Sequence, residues 1–227
     1  CRHTQPLPHD GAMSLRIAVL GLGAWGDTLA TLLEQQGHRV HTWSRRQGGD
    51  PLEALPGADV ALVAVSMAGV CALAPALAPQ WPMGLPLISC SKGIDLQRLC
   101  TPSQLWRQER PDLPLLVLSG PNLAAELAAG LPAASVLASE DQALARQLQH
   151  ALSSDRLRLY TNPDPVGTEV AGALKNVMAI AAGICDGLNL GANAKASLLC
   201  RGLAEMGRVI DGLGGDRKST RLNSSHA

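Results

Sequence analysis

Three glycines near the start of the chain have the spacing of a phosphate-binding turn. Gly21, Gly23 and Gly26 form the pattern GxGxxG, preceded by an apolar run (15–20) and followed by a helix-like stretch (27–36). In this context the first glycine permits a tight turn, the second lets backbone N–H groups approach a pyrophosphate, and the third lets helix and strand pack closely. The anion then lies at the positive end of the helix. We interpret the segment as a dinucleotide-binding turn, with a purely structural glycine turn as the alternative.

The residues after the second predicted strand (40–43) bear on which dinucleotide would bind. An Asp or Glu at that position accepts hydrogen bonds from the ribose 2′-OH and repels a 2′-phosphate. Here Arg45 and Arg46 follow Ser44, and no acidic residue occurs before Asp50. Guanidinium groups bind phosphate through paired, charge-assisted hydrogen bonds. The sequence therefore favours NADP(H) over NAD(H) without excluding NAD(H), and a solvated basic turn is the alternative.

A lysine beyond the predicted strand Leu87–Ser89 is a second chemical candidate. Lys92 is flanked by a serine and a glycine. In open α/β sheets, ligands bind beyond the carboxyl ends of the strands. Further along, Gly120 and Asn122 open a predicted helix whose free N–H groups could receive an anion or a carbonyl. Lys92 is thus a candidate ligand contact, with a solvated loop lysine as the alternative.

A stripe of small residues surrounds another lysine in the second half of the chain. Gly172, Lys175, Asn176, Ala179 and Gly183 recur at i, i+3, i+4, i+7 and i+11, and so share one helix face. Small residues let a backbone or a ligand approach, and the amide beside the amine adds a hydrogen-bonding group. The pattern indicates a candidate active-site lysine, with a surface lysine as the alternative.

Alternating apolar runs and helical patterns supply the elements that would position these groups. The predicted strands are 15–20, 40–43, 60–65, Leu87–Ser89, 115–118, 133–137 and 157–160. The predicted helices between them are 27–36, Met67–Leu77, 96–108, 122–129 and 141–152. This order predicts an α/β fold, a Rossmann-type doubly wound parallel sheet.

Only helical patterns follow the last predicted strand, so we expect an all-helical domain there. A second helix is predicted over 194–210, in which Arg201 and Glu205 are one turn apart and could pair. The apolar face expected to be buried in the first helix comprises Val166, Val170, Leu174, Val177, Ala181 and Ile184.

Composition and charge exclude several classes of protein. The 19 basic and 19 acidic residues give a net charge of 0, so no overall attraction to nucleic acid is expected. With 46% apolar and 17% charged residues, the chain is not of the disordered type. The uncharged stretch 60–91 is long enough to span a bilayer, but its four prolines favour a globular core. The six cysteines include no CxxC pair, which favours reduced thiols, no metal site and a cytoplasmic location.

Changes in pattern along the chain predict its organisation. Residues 1–12 are expected to be extra or disordered sequence, 13–163 a nucleotide-binding domain, and 164–216 the start of a helical domain. Residues 217–227 (RKSTRLNSSHA) are polar and lack an apolar period. We expect this tail to be non-native, with the natural protein continuing beyond Asp216.

Several motifs together resemble the NAD(P)-dependent glycerol-3-phosphate dehydrogenases of bacterial type. They occur in the order of that family between about residues 13 and 216. The matching segments are GLGAWG (21–26), SKG (91–93), SGPNLAAE (119–126), GALKNV (172–177), GANAK (191–195) and RGLAEM (201–206).

The resemblance implies reversible, NAD(P)H-dependent reduction of dihydroxyacetone phosphate to sn-glycerol 3-phosphate, in the cytoplasm, for glycerophospholipid synthesis. It makes Lys175 the catalytic lysine, a general acid for the oxygen of the ketone, with a pKa lowered by partial burial and by Lys92. The substrate-binding positions would be Lys92, Gly120, Asn122 and Asn176. The cofactor-binding positions would be Gly21, Gly23, Ala24, Trp25, Gly26, Arg45, Arg46, Lys92 and Ala124.

The sequence departs from the family in three places. Asn122 stands where the family often has Thr or Ser, and the region 46–58 beside the adenine end is shorter than in most members. The family's later helices carry substrate-binding Asp and Arg residues without counterparts here. We therefore expect a cofactor cleft and the key lysine, but little of the grip on the substrate phosphate.

Other functions and assemblies remain open from the sequence. A ketopantoate reductase-like enzyme of the same two-domain plan is one alternative. A non-catalytic NADP-binding module or a redox sensor is another. The family indicates a homodimer, whose surface would depend on the later helices.

Overall fold

A seven-stranded sheet organises the computed structural model, which describes residues 14–216 and Lys218. The strand order is β2-β1-β3-β4-β5-β6-β7. The strands are β1 (Arg16–Leu20), β2 (Arg39–Trp43), β3 (Val60–Val63), β4 (Leu87–Ser89), β5 (Leu115–Ser119), β6 (Ala133–Ala138) and β7 (Leu157–Asn162). The predictions made for 1–12 and, Lys218 apart, for 217–227 lie outside the described residues.

Helices cover the sheet and then continue beyond it as a hairpin. They are α1 (Ala24–Gln35), α2 (Met67–Leu77), α3 (Pro102–Glu109), α4 (Ala124–Ala128), α5 (Gln142–Leu152), α6 (Pro165–Gly187) and α7 (Gly191–Gly212). Two short 3-10 helices lie at Pro51–Ala54 and Ala78–Gln80. The predicted Rossmann-type α/β fold, followed by helices, is confirmed.

One strand pair departs from the predicted parallel sheet. The sheet is parallel from β2 to β5 and again between β6 and β7, but β5 and β6 are antiparallel, with Ser119 opposite Val136. Parallel neighbours need a crossover that returns the chain to the edge where the first strand began. Here the connection 120–132 contains only the five-residue α4, so the chain enters β6 beside the end of β5. An apolar strand pattern carries no information about direction, so this one antiparallel pair within the predicted parallel sheet could not be seen from the sequence.

Two apolar layers enclose the central strands. Ile17 and Val19 face one layer with Leu29 of α1, whereas Leu20 faces the other with Trp106 of α3. Burial on both faces explains why β1, β3 and β5 read as continuous apolar runs rather than alternating ones. The sheet is thereby fixed as a rigid base, and its carboxyl edge presents the loops after each strand.

Helix α3 starts later than predicted. The predicted helix 96–108 begins only at Pro102, because Thr101 caps it and forms a capping box with Gln104. Before the cap, Asp95 and Cys100 form an isolated antiparallel bridge, and the segment is therefore a loop. A threonine that is followed by a proline and, three residues later, by a glutamine is a helix-start pattern. The apolar residues before Thr101 had suggested an earlier start.

The helical hairpin buries less of its apolar face than predicted. Val170 is fully buried, but Val177 and Ile184 are 59% and 56% exposed. Helix α6 contacts β5, β6, α3 and α7, and apart from Cys185 its buried residues lie between Pro165 and Gly172. The predicted pairing of Arg201 with Glu205 is also wrong, because Glu205 bonds to Arg208 at 2.7 Å.

Within the described residues, α6 is the one helix with the length and apolar composition to cross a membrane. Its first half packs against β5 and α3 and contains the buried, hydrogen-bonded Glu169. Core helices of soluble proteins have the same composition, so this property alone does not indicate a span.

Candidate active site

The glycine turn connects β1 to α1 and is shaped by close backbone contacts. Gly21 has φ +105°, and its N–H donates to the carbonyl of Trp43 at 2.7 Å. A Cβ on Gly21 would lie 2.6 Å from the Ala64 oxygen, and one on Gly26 would collide with the carbonyl oxygen of Gly21. Two of the glycines are therefore required by packing of the turn itself.

Gly23, the middle glycine of the turn, leaves open space at the start of α1. A Cβ on Gly23 would have no neighbour within 4 Å, although Gly23 is the N-cap residue. It makes no side-chain cap, so N–H groups of the first turn, including that of Ala24, are free to bind an anion. The indole Nε1 of Trp25 is also buried with no hydrogen-bond partner among the described residues. Open space, free donors and positive helix end together fit the pyrophosphate of a dinucleotide.

The basic pair lies directly after β2. Arg45 and Arg46 are both exposed, and the nearest acidic residue, Asp50, accepts a hydrogen bond from Leu52 N at 2.9 Å. Asp50 therefore caps the 3-10 helix that follows, rather than extending from the end of the strand. The two guanidinium groups remain the charged groups at the position where a ribose 2′-substituent is read.

Two lysines meet at one carbonyl group beyond the carboxyl edge of the sheet. Lys175 Nζ donates to the Gly120 oxygen at 2.6 Å, and Lys92 Nζ lies 3.5 Å from the same oxygen. Lys92 also lies over the ring of Trp25, 5.9 Å from its centroid. The structure thus brings together the loops after β4 and β5, the first turn of α1, and the middle of α6.

The surroundings of Lys175 change its acidity. Partial burial and, second, the positive charge and hydrogen bond of Lys92 lower its pKa to about 8. A lysine in this range exchanges a proton readily near neutral pH, as a general acid or base must.

Small residues let α6 approach the sheet at this point. A Cβ on Gly172 would collide with Ser119 Oγ at the end of β5. Gly120 is equally confined, since its Cβ would lie 2.8 Å from the Ala134 oxygen. The small residue at each position is what permits Lys175 to reach the Gly120 carbonyl.

The remaining predicted positions surround this centre to different degrees. Asn122 Nδ2 donates to Ser135 Oγ at 2.5 Å and so holds the loop after β5 to β6. A cavity of about 200 Å³ opens beside it, lined in part by Gly120, Asn122 and Tyr160. Ala124 begins α4, and Asn176 is exposed next to Lys175.

Sequence reasoning missed two features of the site. The contact of Lys92 with Trp25 joins residues 67 positions apart, and no pattern within one segment reveals it. The buried carboxyl of Glu169 was also missed, because a single acidic residue in a helix is usually solvated.

The fold and the site together define a Rossmann-type dinucleotide-binding protein, and comparisons with known proteins narrow the class. The family profile for the NAD-dependent glycerol-3-phosphate dehydrogenase N-terminus matches residues 16–49 and 48–145, and that for the C-terminus matches 164–227. The chain therefore belongs to the NAD-dependent glycerol-3-phosphate dehydrogenase family.

Individual relatives agree with this assignment. The chain is 57% identical, over 89% of its length, to glycerol-3-phosphate dehydrogenase [NAD(P)+] of Synechococcus sp. (strain RCC307). It is 55% identical, over 87% of its length, to that of Synechococcus sp. (strain JA-2-3B'a(2-13)). It spans about two thirds of these relatives, 67% and 63% of their lengths. The crystal structure of glycerol-3-phosphate dehydrogenase from Coxiella burnetii superposes with a TM-score of 0.80 at 32% identity, covering 91% of this chain and 71% of that one.

Proposed function

We propose that this protein catalyses the reversible, NAD(P)H-dependent reduction of dihydroxyacetone phosphate to sn-glycerol 3-phosphate. One observation carries the proposal: Lys175 and Lys92 converge on the Gly120 carbonyl beside the glycine turn. The site thereby offers two amines where a ketone oxygen would lie next to a nicotinamide. The family relationship supports this substrate, since the relatives carry the corresponding name.

The residues of the chain divide the work of this reaction. A bound nicotinamide supplies the hydride. Negative charge then develops on the ketone oxygen, and Lys175, as general acid, donates a proton to it. Lys92 holds the substrate and adds positive charge, while Asn176, Gly120 and Asn122 orient the bound ketone.

The cofactor is proposed to lie along the glycine turn. Gly21, Gly23 and Gly26 shape the phosphate site, and the N–H groups of Ala24 and its neighbours bind the pyrophosphate. Trp25, Lys92 and Ala124 border the nicotinamide end. Arg45 and Arg46 bind the ribose 2′-phosphate, which makes NADP(H) the favoured cofactor and leaves NAD(H) usable.

Removing the basic pair should change the cofactor preference. We expect Arg45→Ala with Arg46→Ala to weaken NADPH binding by about 30-fold, because two charge-assisted contacts are lost, and to alter NADH binding less than about threefold. Fluorescence titration with both cofactors measures this. Arg39→Ala, an exposed arginine at the other end of β2, is the matched control and should change neither affinity. Equal weakening for NADPH and NADH would contradict the assignment.

The lowered pKa of Lys175 predicts opposite pH dependences for the two directions. Reduction requires the protonated amine, so its rate should fall as pH rises through about 8. Oxidation of glycerol 3-phosphate requires the neutral amine, so its rate should rise over the same interval. Steady-state rates at saturating substrate between pH 6 and 10 measure both limbs. A rate of reduction that stays constant to pH 10 would exclude Lys175 as the proton donor.

The proposed role also sets the cellular context. The protein would act in the cytoplasm on a small phosphorylated substrate, supply glycerol 3-phosphate for glycerophospholipids, and form a homodimer without binding nucleic acid. Residues 13–163 would form the nucleotide-binding domain and 164–216 the beginning of the helical domain.

A substrate panel tests the proposed reaction. We expect NADPH oxidation by this chain with dihydroxyacetone phosphate and none with ketopantoate. The glycerol-3-phosphate dehydrogenase of Synechococcus sp. (strain RCC307) serves as the positive control under the same conditions. Oxidation with ketopantoate alone would identify a different dehydrogenase. Tight NADPH binding without turnover of either ketone, even in a chain extended by the native gene beyond Asp216, would indicate a binding module.

A further inference from the structure

A buried carboxyl connects three elements next to the candidate site. Glu169 lies in α6 and is only 3% exposed. Its Oε1 accepts a hydrogen bond from Ser89 Oγ at 3.2 Å, and its Oε2 accepts one from Ser103 Oγ at 2.5 Å. The Ser103 backbone N–H lies 3.1 Å from both carboxyl oxygens. One side chain thus joins α6 to the last residue of β4 and to the first turn of α3.

Two of the elements joined in this way lead to the two amines. β4 ends at Ser89, and Lys92 follows three residues later. Lys175 follows Glu169 by six residues of α6, about 9 Å along the helix axis. The carboxyl group therefore fixes α6 relative to the segment carrying Lys92. Its contact with Ser89 lies at the carboxyl end of β4, the end beyond which both lysines reach Gly120.

The chemistry of the contact favours a role in orientation. Burial raises the pKa of Glu169 to about 7, opposed by hydrogen bonds from Ser103, Thr101 and Ser89. The hydroxyl groups of Thr101 and Ser103 lie 3.1 Å apart and can turn to donate or accept, so they can satisfy either protonation state. Burial and, to a smaller extent, the negative charges of Asp95 and Glu169 raise the pKa of the Cys100 thiol. An apolar side chain would fill the space without desolvating a carboxyl, but would not fix a direction.

We propose that Glu169 is a positioning residue. It holds the segments that carry Lys175 and Lys92 in the relative positions from which both amines reach a single oxygen atom. This inference rests on the proposed function, because that function identifies the substrate whose oxygen the two amines would contact. The hydrogen bonds of Glu169 can be tested without turnover.

The titration of Lys175 reports directly on its position. Competitive labelling of the amines with acetic anhydride between pH 6 and 11, followed by peptide mass spectrometry, measures the pKa of Lys175. We expect a value of about 8 in the unchanged protein. Glu169→Gln keeps the shape and one accepting oxygen, and its amide group can donate to the Ser103 hydroxyl once that hydroxyl turns to accept, so it should hold the value within about half a unit. Glu169→Ala should raise the value toward about 10.4, that of a solvated lysine.

A matched control and a second variant keep the experiment decisive. Glu34→Ala removes an exposed carboxyl from α1 and should leave the titration of Lys175 unchanged. Where Glu169→Ala does not fold, the double variant Ser89→Ala with Ser103→Ala removes both hydroxyl donors and should raise the pKa of Lys175 in the same direction. A folded protein of either kind whose Lys175 still titrates as in the unchanged chain would overturn the proposal.

Turnover provides a separate readout. We expect Glu169→Ala to lower kcat about a hundredfold through misplacement of the proton donor, with KM for NADPH within about twofold, and Glu169→Gln to restore most of kcat. If the unchanged chain reduces no dihydroxyacetone phosphate, the proposed function fails, while the labelling result still decides the role of Glu169.

Discussion

Replacing Lys175 with alanine is expected to lower the rate of dihydroxyacetone phosphate reduction by about a thousandfold, because the ketone oxygen loses its proton donor. NADPH affinity should stay within about twofold, since the hydrogen bond of the amine is to the Gly120 carbonyl in the loop after β5. Steady-state rates at pH 7 and fluorescence titration with NADPH measure the two quantities independently.

A control separates this loss from a general effect of removing positive charge. Arg146→Ala removes an exposed basic side chain from α5 and should leave both rate and affinity unchanged. Activity of Lys175→Ala within a few fold of the unchanged protein would show that another group protonates the substrate. A parallel loss of NADPH affinity would instead show that Lys175 supports the cofactor.

Substitutions at two glycines of the turn should separate an effect on stability from an effect on cofactor affinity. Gly26→Ala places a methyl group against the carbonyl oxygen of Gly21, so α1 must move away from β1, and we expect a loss of roughly 3 kcal/mol in the free energy of unfolding. Gly23→Ala meets no protein atom within 4 Å and should leave stability within about 0.5 kcal/mol. Its methyl group would, however, occupy the space through which a pyrophosphate approaches, and NADPH affinity should fall at least about tenfold.

Chemical denaturation and NADPH titration of both variants check this separation. Gly183→Ala, in an open position of α6, is the matched control, and it should raise helix stability slightly with no change in affinity. Unchanged NADPH affinity in Gly23→Ala would contradict the placement of the pyrophosphate at this turn.

Local patterns in the sequence predict those parts of the fold that depend on interactions within a few residues. The glycine turn, the buried strands around it and the helix Met67–Leu77 follow from apolar runs, helix period and cap residues within a few positions. The close approach of another segment to the helix face that carries Lys175 also followed, because small residues such as Gly172 admit a near neighbour.

The remaining features depend on contacts between distant segments. The antiparallel direction of β6 is decided by the path of the chain after β5, and the exposure of Val177 by how far α6 extends beyond the sheet. Glu169 resembles a surface residue until Ser89 and Ser103 are brought to it from two other elements. Chemical roles could thus be predicted where one segment carries the whole signal, as at Gly21–Gly26, and not where three segments share it.

Deuterium transfer tests the central claim most directly. NADPH carrying deuterium at both C4 positions of the nicotinamide is incubated with dihydroxyacetone phosphate and this protein, and the product is analysed by mass spectrometry. The account predicts sn-glycerol 3-phosphate with one deuterium on C2, formed by the unchanged protein and lost in Lys175→Ala. The absence of deuterated product, under conditions in which the Synechococcus sp. (strain RCC307) enzyme forms it, would contradict the account.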